Sequence, residues 1–221
     1  DCFRKGYLRK AIKISLPVGF EHFVVCAAQI TSTKIVAPLG IVAIAANSFG
    51  ITAEALCYMP GYGIADAATT LVGQGIGAKK ENVAKYFAKI STMIGMVLMS
   101  AMAVIMFFAA PYIMAMLSAD AKVVALGTKI LRIEMFAEPM YAASIVASGA
   151  LRGAGDTFVP SLMNFGSIWL VRMPLSYLLS LSMGLRGMWF AMCIELIFRG
   201  SIFLYRLFKV RWWEKAKNRI Q

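Results

Sequence analysis

Six mostly apolar stretches run through this chain, separated by short polar or glycine-rich turns. A bilayer crossing needs about 20 predominantly apolar residues, and the stretches approach or exceed that length. With 60% hydrophobic residues, only 15% charged and a mean hydropathy of +0.71, the chain departs from a soluble domain, which carries about 25% charged residues. The expected fold class is therefore all-α: a polytopic membrane protein of six transmembrane helices. The spans are expected from about Ile12 to Val36, Ile41 to Gly75, Val83 to Phe108, Val123 to Leu151, Phe158 to Leu181 and Met188 to Leu207. They form one membrane domain over 1–208, followed by a basic tail over 209–221. The second span is too long for one straight crossing, and Pro60-Gly61-Tyr62-Gly63 is expected to interrupt it.

A net charge of +12 raises the question of nucleic acid, but the basic residues sit at helix ends. Arg4, Lys5, Arg9, Lys10 and Lys13 precede the first span; Lys79, Lys80, Lys85 and Lys89 flank the turn after the second; Arg152 follows the fourth; Arg206, Lys209 and Arg211 follow the sixth. An even number of spans puts all of these on one side, so the positive-inside rule places both termini in the cytoplasm of a plasma-membrane protein. The tail is expected to lie on the inner surface among the lipids, with Trp212 and Trp213 as interfacial anchors. No nucleic-acid partner is expected. Cys2, Cys26, Cys57 and Cys193 are far apart, lack metal-ligand spacing and read as free, buried thiols. The first residue is Asp1 rather than methionine, which reads as a fragment or excised domain.

Several stretches, in order, resemble the multidrug and toxic compound extrusion (MATE) transporters. They are Leu16-Pro17-Val18-Gly19, Val36-Ala37-Pro38-Leu39-Gly40, Ala45-Ala46-Asn47, Tyr58-Met59-Pro60-Gly61, the run from Ala67 to Gln74, Gly77-Ala78-Lys79-Lys80, Leu131-Arg132-Ile133, Glu138-Pro139, the run from Ser148 to Thr157, and Arg172-Met173-Pro174-Leu175. The resemblance covers nearly the whole chain and implies the C-terminal half of a two-lobed antiporter. It implies a further six-helix lobe N-terminal to this one, drug-like cations as substrates, and inward H⁺ or Na⁺ as the coupling ion. No other cofactor is expected, and no enzymatic activity. Where some family members carry a coupling carboxylate on the first span, the matching position here is Val25, with Glu21 one turn away.

Ionisable residues within hydrocarbon are costly and mark candidate sites. Glu21 and Gln29 share a face of the first span with Val25. Glu21 reads either as a proton or cation site or as the partner of a basic residue near the cytoplasmic end. Glu134, Glu138 and Tyr141 share a face of the fourth span at i, i+4 and i+7, and Pro139 beside Glu138 can kink it. Two carboxylates on one face repel, so a drug cation and a proton can compete for the negative site they make. The alternative for Glu138 is a structural pair with Arg132 or Arg172. Glu54 and Asp66 flank the expected break at Pro60, and interrupted helices mark transport sites. Asn47 and Tyr58 read as cavity-lining polar groups. The one histidine, His22, reads as packed rather than as a proton shuttle, and Glu195 and Arg199 as an intrahelical pair. Met and Phe, 15 and 14 in number, suit a cavity for amphipathic cations, although most are expected against lipid or core.

Two glycine runs, Gly73-Gln74-Gly75-Ile76-Gly77 and Gly153-Ala154-Gly155-Asp156, resemble phosphate loops but follow helices and not strands, so they read as helix stops. No catalytic triad or metal-ligand cluster is discernible in the sequence. Two other readings stay open: a flippase for a lipid-linked saccharide, which would need a more cationic cavity, and a non-transporting six-span scaffold.

Overall fold

A computed structural model of the chain describes residues 5–209 and Trp212. Eight α-helices follow one another: α1 (Lys5–Val36), α2 (Ile41–Gly77), α3 (Glu81–Leu117), α4 (Ala121–Glu134), α5 (Glu138–Gly153), α6 (Phe158–Gly166), α7 (Met173–Met183) and α8 (Leu185–Lys209). A 3₁₀ turn, Ala37–Leu39, separates α1 from α2, and a π-helical turn, Ser167–Arg172, separates α6 from α7. No strand occurs among the described residues.

Four of these helices, α1, α2, α3 and α8, are long and apolar enough to cross a membrane. The other two expected spans are interrupted helices. In the fourth, α4 passes into α5 through residues 135–137, whose backbone stays near helical values (Met135 φ −54°, ψ −25°; Ala137 φ −91°, ψ −13°). The interruption falls just before Pro139, which has no N–H for the carbonyl of Met135 and crowds it. In the fifth, the backbone remains right-handed helical through the π turn. Pro174 has no N–H for the carbonyl of residue 170, and the wider turn lies where that bond is missing. Ionisable residues within α4 and α5 (Lys129, Arg132, Glu134, Glu138) and the short lengths of α6 and α7 set these two spans apart from the four long helices.

The expected break at Pro60 is not there: α2 runs unbroken for 37 residues with Pro60 inside it. At 1.5 Å per residue it measures about 55 Å, well beyond a hydrocarbon core of about 30 Å. Similarly, α3 does not stop at Phe108 but continues through Pro111 to Leu117. The proline leaves the Phe107 carbonyl, four residues back, without its helical donor. Arg132 of α4 supplies one: its Nε donates to the Phe107 carbonyl at 3.1 Å, and its guanidinium stacks over the Phe107 ring at 5.0 Å. An arginine inside the fold is thereby explained as a clamp between α3 and α4.

At the centre lies α5, buried at every residue from Ala142 to Leu151 and packed against α2, α3 and α8. Small residues make this possible. A methyl added at Gly149 would sit 2.6 Å from the Ala65 carbonyl, and one at Gly153 would collide with the Thr69 carbonyl. The Thr69 hydroxyl lies 2.8 Å from both the Ala65 and Gly149 carbonyls. The Gly149-x-x-x-Gly153 spacing thus brings α2 and α5 into backbone contact, as small residues do in membrane interiors. Both glycine runs end helices as expected; the second turns at Gly155 with φ +81°, and Asp156 beside it pairs with Arg206 of α8.

Other expectations are corrected. Trp212 is no interfacial anchor: it is 1% exposed, packs in the core, and its Nε1 donates to the Leu207 carbonyl at 3.2 Å. Trp213 and, apart from Lys209 and Trp212, the whole 209–221 tail lie outside the described residues, as does Cys2. Cys57 and Cys193 are buried, but Cys26 is exposed on α1.

Candidate functional site

A cavity of about 460 Å³ opens between α1, α2, the α4–α5 rod, the π turn and α8. The first helix contributes Glu21, Val25 and Gln29, one position per turn; α2 contributes Glu54, Tyr58, Tyr62 and Asp66; Glu134 and Tyr141 face in from either side of the α4–α5 break; Arg172 and Arg199 complete the wall. Of the nine residues singled out from the sequence, seven line this cavity.

Two do not. Asn47 is buried against α8, where its Oδ1 accepts from Trp189 Nε1 at 3.0 Å; it satisfies a buried indole and does not face the cavity. Glu138 is fully buried just behind the cavity wall, and neither of its oxygens has a hydrogen-bond partner among the described residues. The pairings anticipated for it are not made: Arg132 is held by Phe107, and Arg172 lies against the Met192 sulfur. Glu138 sits in the first turn of α5, where the helix dipole favours a negative group.

Glu134 is likewise completely buried, with neither oxygen bonded to an amide, hydroxyl or basic group. Glu54 on α2 and Arg172 at the end of the π turn line the same cavity. The sequence read Glu134, Glu138 and Tyr141 as one continuous helical face; the break at 135–137 instead sets Glu138 behind the wall and leaves the other two on it.

Glu21 is engaged. Arg152 Nη2 donates to both of its oxygens at 2.7 and 2.8 Å, Ser161 Oγ donates to Oε2 at 2.7 Å, and Asn164 Nδ2 donates to Oε1 at 2.8 Å. Its oxygens are engaged by α5 and α6, as the paired reading of this residue expected. Glu195 is paired as expected, with Arg199 at 3.1 Å, and also accepts from Ser167 in the π turn. Arg199 in turn stacks over the Tyr141 ring at 5.5 Å. His22, expected to be packed, is instead exposed on α1 and does not line the cavity.

Sequence reasoning missed the aromatic wall. Tyr58 meets both Tyr62 and Tyr141 edge to face, each with ring centroids 5.8 Å apart. The i, i+4 spacing of Tyr58 and Tyr62 was legible, but reading Tyr62 as part of a turn hid it. The inward position of Arg172 depends on the π turn, whose local sign, Pro174, does not say which way the side chain will point. Among the described residues no group of three or more His, Cys, Asp or Glu side chains is arranged to hold a metal ion.

Residues 17–178 match the MatE family. The chain belongs to it. This MatE chain is 32% identical over 203 residues to a probable multidrug resistance protein NorM of Chromobacterium violaceum, covering 89% of the chain and 43% of the relative. It is 27% identical over 212 residues to the corresponding Thermotoga maritima protein, covering 94% and 45%. The chain therefore spans about half the length of the curated relatives it matches. Among solved structures, the bent form of the Vibrio cholerae MATE transporter VcmN superposes with a TM-score of 0.87 at 15% identity, over 98% of this chain and 48% of that one. A Pyrococcus furiosus transporter of the MOP superfamily, described as having a binding pocket of reversed polarity, gives 0.86 at 19%, over 91% and 45%. At these identities the likeness concerns the fold: this MatE chain is an all-helical half of a transporter of that architecture.

Proposed function

We propose that this chain is the C-terminal lobe of an antiporter that exports cationic, amphipathic drug-like compounds across the plasma membrane in exchange for H⁺ or Na⁺. The observation that carries the reading is the acid group at the α4–α5 break. Glu54, Glu134 and Glu138 are buried at 7%, 0% and 0% exposure, Glu134 and Glu138 lack neutralising hydrogen bonds, and two of the three face the cavity. Buried carboxylates held without partners are costly, and a site where a proton or metal cation and a drug cation exclude one another uses that cost. The tyrosine wall adds flat faces on which a cation can rest. The names of the NorM relatives support drug export.

In this reading a second six-helix lobe completes the cavity, 1–208 is the membrane domain, both termini are cytoplasmic, and the basic tail lies on the inner leaflet. The test is ethidium efflux from cells expressing the two-lobed transporter, with the pH and Na⁺ gradients collapsed in turn. Efflux lost with one gradient identifies the coupling ion; efflux indifferent to both removes antiport.

A flippase for a pyrophosphate-linked saccharide would need free cations on the wall. Arg152 and Arg199 are already paired with carboxylates and Arg132 with a carbonyl, which leaves Arg172 facing an excess of acids. The charge balance favours a cationic substrate.

A further inference from the structure

The polar knot around Glu21 is more elaborate than a structural ion pair needs, and its position is specific. It joins α1 to the end of α5 through Arg152 and to α6 through Ser161 and Asn164. On one side of it lies the polar cavity, whose wall includes Glu21, Arg152 and Asn164. On the other lies an apolar groove of about 890 Å³ between α1 and α6, bordered by Ser161 and Phe165. Ser161 and Glu21 therefore separate a polar compartment from an apolar one.

Beyond the knot, α1 also meets α6 through Phe20 and Phe165 and the π turn and α7 through Ala28, Ile168 and Met173. From Glu21 onward, the buried residues of α1 are Val24, Ala28, Ser32 and Val36, a single line at every fourth position, which is a narrow seam on a helix. At its far end the 3₁₀ turn leads to Gly40 at φ +94°, where an added side chain would touch nothing. The half of α1 from Glu21 to Val36 thus has a glycine turn at its end, a thin seam along its length and a clasp at the middle of the helix. The clasp also borders the polar cavity: the Arg152 and Glu21 side chains are 30% and 13% exposed within this lobe, against 11% and 0% for the Arg199–Glu195 pair. A pair that borders a polar cavity can exchange its partner for another polar group, whereas breaking a buried one leaves an uncompensated charge.

We propose that the Glu21–Arg152 pair, with Ser161 and Asn164, is a gate: its opening lets α1 swing from α5 and α6 about Gly40 and joins the polar cavity to the apolar groove. Glu21 acts here by holding a helix closed and not by binding the coupling ion. The inference concerns access to the cavity and stands whether or not the cavity carries drugs.

The test uses cysteine accessibility in the full chain, in membrane fragments open on both faces. The native cysteines are replaced, and a reporter is placed at Ser148, which is 5% exposed and lines the cavity from α5. A control is placed at Ser100 on α3, away from the cavity. Glu21→Gln is expected to raise the rate at which a charged maleimide labels Ser148→Cys by about tenfold, the population shift that loss of one charge-assisted interaction allows, and to leave Ser100→Cys unchanged. The swap Glu21→Arg with Arg152→Glu is expected to return the rate to its starting value. Should Glu21→Gln fail to fold, Ser161→Ala keeps the ion pair, removes one bond and is expected to give a smaller rise. An unchanged rate at Ser148→Cys, an equal rise at Ser100→Cys, or no recovery in the swap overturns the gate.

Discussion

The clamp between Arg132 and the carbonyl of Phe107 carries a prediction that a double-mutant cycle can read. Pro111 deprives that carbonyl of its helical donor, and Arg132 Nε replaces it at 3.1 Å. Arg132→Met keeps a flexible side chain but strands the carbonyl, a loss of about 1–3 kcal/mol for an unsatisfied buried acceptor. The stack over the Phe107 ring at 5.0 Å adds about 0.5–1 kcal/mol at a partly exposed site. For a chain of this size each kcal/mol moves the melting midpoint by about 2–4 °C, so a fall of roughly 5–15 °C is expected in detergent-solubilised protein. Pro111→Ala restores an N–H four residues beyond Phe107. In that background Arg132→Met should cost only the stacking part, which leaves a coupling of about 1–3 kcal/mol between the two sites. Thermal melts of the four proteins measure it. Equal losses with and without the Pro111→Ala substitution would refute the idea that the arginine serves the carbonyl freed by proline.

Three further outcomes are expected. Glu134→Gln and Glu138→Gln should each abolish gradient-driven ethidium efflux while leaving membrane expression intact; normal efflux in either removes that residue from coupling. Gly153→Leu should drive α5 off the Thr69 carbonyl and destabilise by about 1–3 kcal/mol through overpacking, seen as a lower melting midpoint; an unchanged midpoint would mean that α2 and α5 do not meet there. Asn47→Ala should strand the Trp189 indole N–H at a cost of about 1–3 kcal/mol without altering the ion dependence of efflux, and a changed ion dependence would return Asn47 to the cavity.

Hydrophobic periodicity and the turn residues were enough to mark the helical membrane class, the turn at Gly40 and the helix stops at Gly77 and Gly153. They also marked the acids worth watching, because an ionisable residue in an apolar run stands out without any knowledge of its neighbours. The pairing of Glu195 with Arg199 was legible too, since both lie on one helix and i, i+4 geometry is local. Proline was the ambiguous sign. Pro139 interrupts its rod while Pro60 and Pro111 do not, because a helix survives a missing hydrogen bond when neighbouring helices pack along it and, at Pro111, when a side chain from α4 replaces the lost donor.

What a carboxylate does once inside depends on groups distant in the chain. Glu21 meets Arg152, 131 residues away, whereas Glu138 meets none of the arginines that spacing offered it. Asn47 and Gln29 look alike as polar residues in apolar helices, but one satisfies a tryptophan from α8 and the other faces a cavity. A helix presents every side chain to some neighbour at fixed angles, and the chain alone states the angles but not the neighbours. Composition, length and local spacing therefore settled the class and the candidates. The division of those candidates into clamp, clasp, core and cavity arose only when α5 packed through its glycines against α2 and brought the other helices around it.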